Sequence, residues 1–180
     1  MSIGFKEWAI VCEALGNGRQ SIILRKGGIA EGRDGFRFQH DAFYLFPTWF
    51  HEQIAKTKLP PETPLPERTT GQIVIRNFVR AEWTQLVTDF DMALALAPFH
   101  LWKKEVVEER FRYHESPEIH VAFLRVYKLS EPWSFPDGPK YGGCRSWVEL
   151  PGPPPEITLT PVLDDAAHAA RAEEIKKIIG

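Results

Sequence analysis

A chain of 180 residues, 43% hydrophobic and 26% charged, is long enough for one domain with a buried core at roughly 150 residues per domain, and its composition excludes wholesale disorder. With 22 Lys and Arg against 24 Asp and Glu, the formal charge of -2 excludes bulk attraction to nucleic acid or anionic membrane, so any anion site has to be local. The two cysteines, Cys12 and Cys144, lie far apart without CxxC spacing; this excludes a zinc ribbon or a disulfide framework, and both are expected as reduced thiols.

In chain order, Phe5, Trp8, Ala9, Cys12 and Leu15 fall at helical spacing and Gly16 stops the run, which predicts a short amphipathic helix over 5–15. Glu7 and Glu13 interrupt this stretch, so it does not read as a signal peptide. A brief strand follows, with Ile22 and Leu24 facing one way and Ile23 and Arg25 the other, closed by Gly27-Gly28. Phe36-Arg37-Phe38 and Phe43 to Phe46 read as short extended pieces, and Pro47-Thr48 as the start of a turn or helix carrying Trp49, Phe50 and His51. Between Lys56 and Thr70 four prolines predict an exposed connection that joins two halves of one domain or spans a face of it.

Residues 72–81 alternate, with Ile73, Ile75 and Val79 on one side and Arg76 and Arg80 on the other, as a strand with one polar face does. Trp83 to Ala97 reads as a helix ended by Pro98, and Lys103 to Tyr113 as a second one that stacks Val106 and Arg110. Ile119 to Leu129 is apolar on both faces and belongs at a sheet centre. A loop over 132–143 leads into a short strand around Trp147. PGPPP (151–155) is expected to be a stiff extended linker within 151–160. Pro161 is expected at the first position of a peripheral C-terminal helix over 161–180, with Asp164-Asp165 and Lys176-Lys177 complementing its dipole. The longest apolar stretch, Met92 to Pro98, falls far short of the roughly 20 residues that cross a bilayer, so a cytoplasmic protein without membrane association is expected. The fold expected is α+β, a single domain over 1–150 with a mixed or antiparallel sheet and flanking helices.

Several residues are candidates for chemistry. Arg25-Lys26-Gly27-Gly28 sets two cations at a strand end before glycines whose N–H groups can approach an anion; the alternative is a solvated turn. Arg125 lies on a strand face with Ile119, Val121, Phe123 and Tyr127, where an unpartnered guanidinium is costly. It needs a ligand or an acid such as Glu108, Glu109 or Glu149. Arg110, beside the buried stripe of its helix, poses the same question. None of the six histidines has HExxH or other ligand spacing, so neither metal nor cofactor is expected. His40, His51 and His100 flank aromatic clusters, where acid–base work or simple packing are the two readings. Cys144 beside Arg145 is either a thiol with a lowered pKa or an inert thiol buried against Trp147.

The run KEWAIVCEALG, LRKGGI, the F-Q-H and F-x-L-F-P-T block with His51 downstream, H-L-W, VVEERFRY, HVAFLRVYKL and YGGCRSWVEL resembles the bacterial family catalogued as domain of unknown function 1802, over about Phe5 to Leu150. Glu52 separates His51 from Gln53, a departure from the family's His-Gln pair. The resemblance implies a fold and a set of positions, Arg25, His40, His51, Trp102, Arg110, Arg125 and Cys144 among them, without a reaction.

Together these point to a pocket for a phosphate-bearing ligand, a nucleotide or nucleic acid. Arg25, Lys26, Gly27, Gly28, Arg110, Arg125 and Arg145 would bind it, with His40 and His51 as catalytic candidates. Arg25, Arg125 and one of these histidines are then expected around one concavity. One alternative is a non-enzymatic PUA-like nucleic-acid-binding module in which Trp49, Trp83 or Trp102 stacks on a base. The other is a protein-interaction module with structurally paired arginines, which leads if Arg25 and Arg125 lie on opposite sides of the sheet.

Overall fold

Two long antiparallel strands organise the molecule, as seen in a computed structural model that describes residues 2–26, 37–113 and 116–180. In chain order the elements are β1 (Ser2–Trp8), α1 (Ala9–Gly16), β2 (Ile22–Arg25), β3 (Ala42–Thr48), β4 (Gln72–Val87), α2 (Phe90–Ala95), α3 (Lys104–Arg112), β5 (Ile119–Pro136), β6 (Trp147–Leu150), β7 (Leu159–Pro161) and α4 (Asp165–Ile179). The strands form one mixed sheet in the order β2-β5-β4-β3-β1-β6, with β7 also paired to β5. Only β1 and β3 run parallel among the described pairs. The protein is a single-domain α+β fold.

β4 and β5 are long enough to serve two apolar clusters. The larger holds Phe5, Ile10, Leu15, Phe43, Trp102 and Phe123; the smaller holds Phe46, Ile75, Trp133, Phe135, Tyr141 and Leu150. β1 runs between β3 and β6 with Gly4, Phe5, Lys6 and Glu7 all buried.

The structure corrects four expectations about these elements. The helix expected from Phe5 begins at Ala9: a strand covered on both faces loses its alternation, and the spacing of Phe5, Trp8 and Cys12 matches a helix by coincidence. The segment from Trp83, expected to be helical, continues β4 to Val87, and the helix starts only at Phe90, where the Asp89 carboxylate accepts from Met92 N at 3.0 Å. The extra residue between Ala81 and Trp83 shifts the faces of β4 and conceals its period, while pairing with β5 overrides local preference.

β5 likewise runs past Leu129 to Pro136, and Pro132 sits where the pairing to β4 is interrupted and no N–H is needed. Finally, Pro161 lies in β7 rather than opening the last helix; that role falls to Asp164, whose side chain caps α4 by accepting from Ala167 N at 2.7 Å. α4 buries His168, Ile175 and Ile179. No helix among the described residues is long and apolar enough to cross a membrane.

Candidate functional site

The arginines singled out from sequence divide between the two faces of the sheet. Arg25 pairs in register with His120, and Arg125 lies five positions further along β5, an odd step in a regular strand, so Arg25 and Arg125 point to opposite faces. The common concavity expected for them is not formed. Arg25 stands 3.5 Å from the Glu7 carboxylate, donates to Lys6 O at 3.1 Å and to Ser146 Oγ at 3.4 Å, and lies 5.0 Å from the Phe5 ring centroid. Glu7 is 1% exposed, and its second oxygen accepts from Trp8 N at 2.8 Å.

Arg110 approaches the same region, its guanidinium 3.8 Å from the centroid of Trp102 and 5.7 Å from that of Trp8, donating to Leu24 O at 3.3 Å. Burial lowers its pKa to about 10, with Glu7 opposing the shift, so it stays charged at neutral pH. Lys26 donates to Ser116 O and to Glu118 O, while Gly27 and Gly28 lie outside the described residues. Arg125 is paired at 2.6 Å with Asp165 of α4, and not with Glu108, Glu109 or Glu149.

The two catalytic candidates stand in different surroundings. His40 packs edge-on to Trp147 and lines a cleft of about 660 Å³ with Lys140, Arg145 and Glu149. His51 is 92% exposed, and its one ion-pair partner among the described residues is Glu52, at 3.8 Å. Cys144 is exposed, contrary to the expected inert packing on Trp147, and Cys12 is the buried thiol, its pKa raised by that burial and by Glu7. Among the described residues no group of three or more His, Cys, Asp or Glu is placed to hold a metal ion.

Of the three tryptophans proposed to stack on a base, Trp102 is buried under Arg110 and Trp83 lies flat on Phe123, whereas Trp49 lines two adjoining clefts. Its position follows from the end of β3. Gln53 donates to Thr48 O at 2.7 Å and accepts from Ile10 N at 3.2 Å, and Thr48 Oγ1 donates to Glu7 O at 3.1 Å. A fully buried amide thus locks the β3 end to the start of α1. Gln53 does this despite the intervening Glu52. Trp49 Nε1 then donates to Pro66 O at 3.2 Å, which draws the proline-rich segment across as the outer wall and sets Arg68 over the indole, 5.8 Å from its centroid.

One cleft, of about 440 Å³, adds Arg76, Asn77 and Lys128 to Trp49; the other, of about 610 Å³, adds Lys6, Arg68 and Asp137. Lys6 is the fixed cation here. It is mostly buried, donates to Gly143 O at 3.0 Å, and has its pKa lowered first by desolvation and then by Arg145. Arg68, Arg76 and Lys128 form no ion pair with a described residue. Arg76 was legible as the polar face of its strand. Lys6, expected on a helix, and Arg68, within a proline-rich connection, were not.

A mixed seven-stranded sheet with one long helix packed on it and an aromatic cleft at the β3 terminus places the molecule among single-domain α+β proteins. The chain belongs to the family described as a domain of unknown function, DUF1802, whose pattern matches residues 4–174. No curated protein matches it. It is similar to crystal structures of the ASCH protein of Zymomonas mobilis: one form aligns over 99% of this chain and 93% of that one with a TM-score of 0.44, and a point mutant over 99% and 94% with 0.46, each at 12% identity. Likeness at that level transfers no site.

Proposed function

We propose that the double cleft around Trp49 binds a nucleotide or a short single-stranded stretch of nucleic acid, with a base against the indole and phosphates toward Lys6, Arg68, Arg76 and Lys128. The observation that carries this reading is the position of Trp49, an indole shared by two open clefts whose lining cations form no ion pair with a described residue. A base sliding between the indole and the loosely held Arg68 guanidinium gains stacking and cation–π attraction at once, independent of sequence. Four cations against Glu13, Glu67 and Asp137 give the clefts a small positive excess. That suits a few phosphates and not a long duplex.

The test is fluorescence anisotropy of a labelled single-stranded deca-nucleotide, titrated with protein at several salt concentrations. With up to four phosphates neutralised, the log–log salt slope should reach about -3 at most. Trp49→Ala should remove about 1–3 kcal/mol of binding. Absence of any binding at low salt would overturn the reading. The opposite faces of Arg25 and Arg125 already remove the arginine pocket first expected and favour the protein-interaction alternative for those residues; with the Trp49 cleft also silent, that alternative would be the reading left.

A further inference from the structure

Asn77 breaks the apolar row of β4. Ile73, Ile75, Asn77 and Val79 are successive buried positions on one face of the strand, and Asn77, 6% exposed, puts an amide where its neighbours are aliphatic. It stands between the two apolar clusters, with Ile75 in the smaller and Val79 in the larger, just past an interruption of the pairing with β5. Other buried amides are fully engaged. Gln20 donates to Ile22 O at 2.8 Å and accepts from Leu101 N at 3.1 Å, and Gln53 bonds both Thr48 and Ile10. The Asn77 amide forms no hydrogen bond with a described residue.

That amide lies at the cleft of about 440 Å³ that Trp49 walls. Asn77 lines it together with Gly16 at the end of α1, and a Cβ on Gly16 would stand 2.5 Å from Asn77 Oδ1 and 2.9 Å from Nδ2. Glycine at this helix end therefore leaves the amide its place. Among the described residues, the side-chain atoms both sealed from solvent and unbonded are His100 Nε2 and Trp147 Nε1; the Asn77 oxygen and nitrogen, also unbonded, keep accessible surface.

An amide so placed offers one acceptor and one donor side by side, and a base edge with an amino N–H next to a ring nitrogen satisfies both at once. Two acids of the same lining, Glu13 and Glu67, favour an amino group over a carbonyl oxygen, and a purine gives the indole more stacking face than a pyrimidine. Arg76 and Lys128, which flank Asn77 in the sheet, supply charge for a phosphate.

We propose that this cleft selects adenine, with Asn77 Oδ1 accepting from the exocyclic amino group, Nδ2 donating to the adjoining ring nitrogen and Trp49 against the ring. The inference rests on the reading of the Trp49 clefts as a nucleotide site: stacking there is blind to the base, and Asn77 supplies the choice.

The test is an NMR titration of the full chain with adenosine 5′-monophosphate and inosine 5′-monophosphate, two purine nucleotides of the same charge that differ in carrying an amino group or a carbonyl. The readouts are the side-chain N–H signals of Trp49 and Asn77 and the dissociation constants. Both nucleotides should move the Trp49 signal, the Asn77 signal should move with the adenosine nucleotide, and that nucleotide should bind about tenfold tighter. Asn77→Ala, its folding checked by melting temperature, should bind the two alike. The wild-type comparison needs no variant. Equal affinities in the wild type with Trp49 moved, or an adenosine preference kept in Asn77→Ala, would overturn this proposal and leave the nucleotide reading standing. A Trp49 signal unmoved by either nucleotide would overturn that reading and the proposal with it.

Discussion

The cations around Glu7 and those around Trp49 differ in what they already touch. Arg25 and Arg110 are committed to a buried carboxylate, backbone carbonyls and aromatic faces, and Arg125 on the far face is committed to Asp165. Arg68, Arg76 and Lys128 line open clefts with no acid in pairing distance among the described residues. The contrast teaches that an arginine in an apolar sequence context marks where the fold needs a partner. A ligand is better sought where cations are left over.

The far face of the sheet, where Arg125 is committed, can be broken most severely through its cover, α4. Removing residues 156–180 takes away the buried Ile175 and Ile179, the His168 ring stacked on Phe123 and the Arg171 bonds to Gly18 O and Ser21 Oγ. The two isoleucines alone correspond to about 3–6 kcal/mol of burial, so urea denaturation should show a large loss of stability. Glu7→Gln leaves two guanidiniums without their counter-charge and should cost about 3 kcal/mol by the same measurement.

A third effect depends on pH. In the folded state His100 has its pKa lowered from 6.5 to about 3, so as pH falls through that window the unfolded chain takes up a proton that the folded chain refuses, and stability is lost. Between pH 7 and pH 5 this amounts to about 2 kcal/mol, which a His100→Gln variant should lack when unfolding is followed at both pH values.

The smallest effect is the sharpest. Arg125 is 10% exposed but Asp165 is 99% exposed, so Arg125→Met strands no buried carboxylate. Thermal unfolding should place it within about 1 kcal/mol of the wild type, because the lost attraction is offset by relief from desolvation.

Much of the sheet was legible in the sequence. The alternation of 72–81 and the two-sided apolar run of 119–129 identify its two longest strands, since period and burial there follow directly from side-chain direction. What misled was local. A bulge at Ala81/Trp83 hid the second half of β4, and the doubly covered β1 imitated a helix, which placed Lys6 and Glu7 wrongly. At the site, the need of Arg125 for a partner was readable, but its identity was not, because Asp165 arrives from 40 residues away. The clamp at Gln53 and the wall made by Pro66 and Arg68 depend on long-range contacts that no spacing encodes.

The distinction between committed and available cations is tested most directly by one set of titrations of a labelled single-stranded deca-nucleotide at low salt, against wild type, Trp49→Ala, Arg68→Ala and Arg125→Met. The account predicts that Trp49→Ala weakens binding about tenfold or more, that Arg68→Ala weakens it and flattens the salt dependence, and that Arg125→Met binds as the wild type does. Loss of binding in Arg125→Met with the two cleft variants unaffected would contradict it.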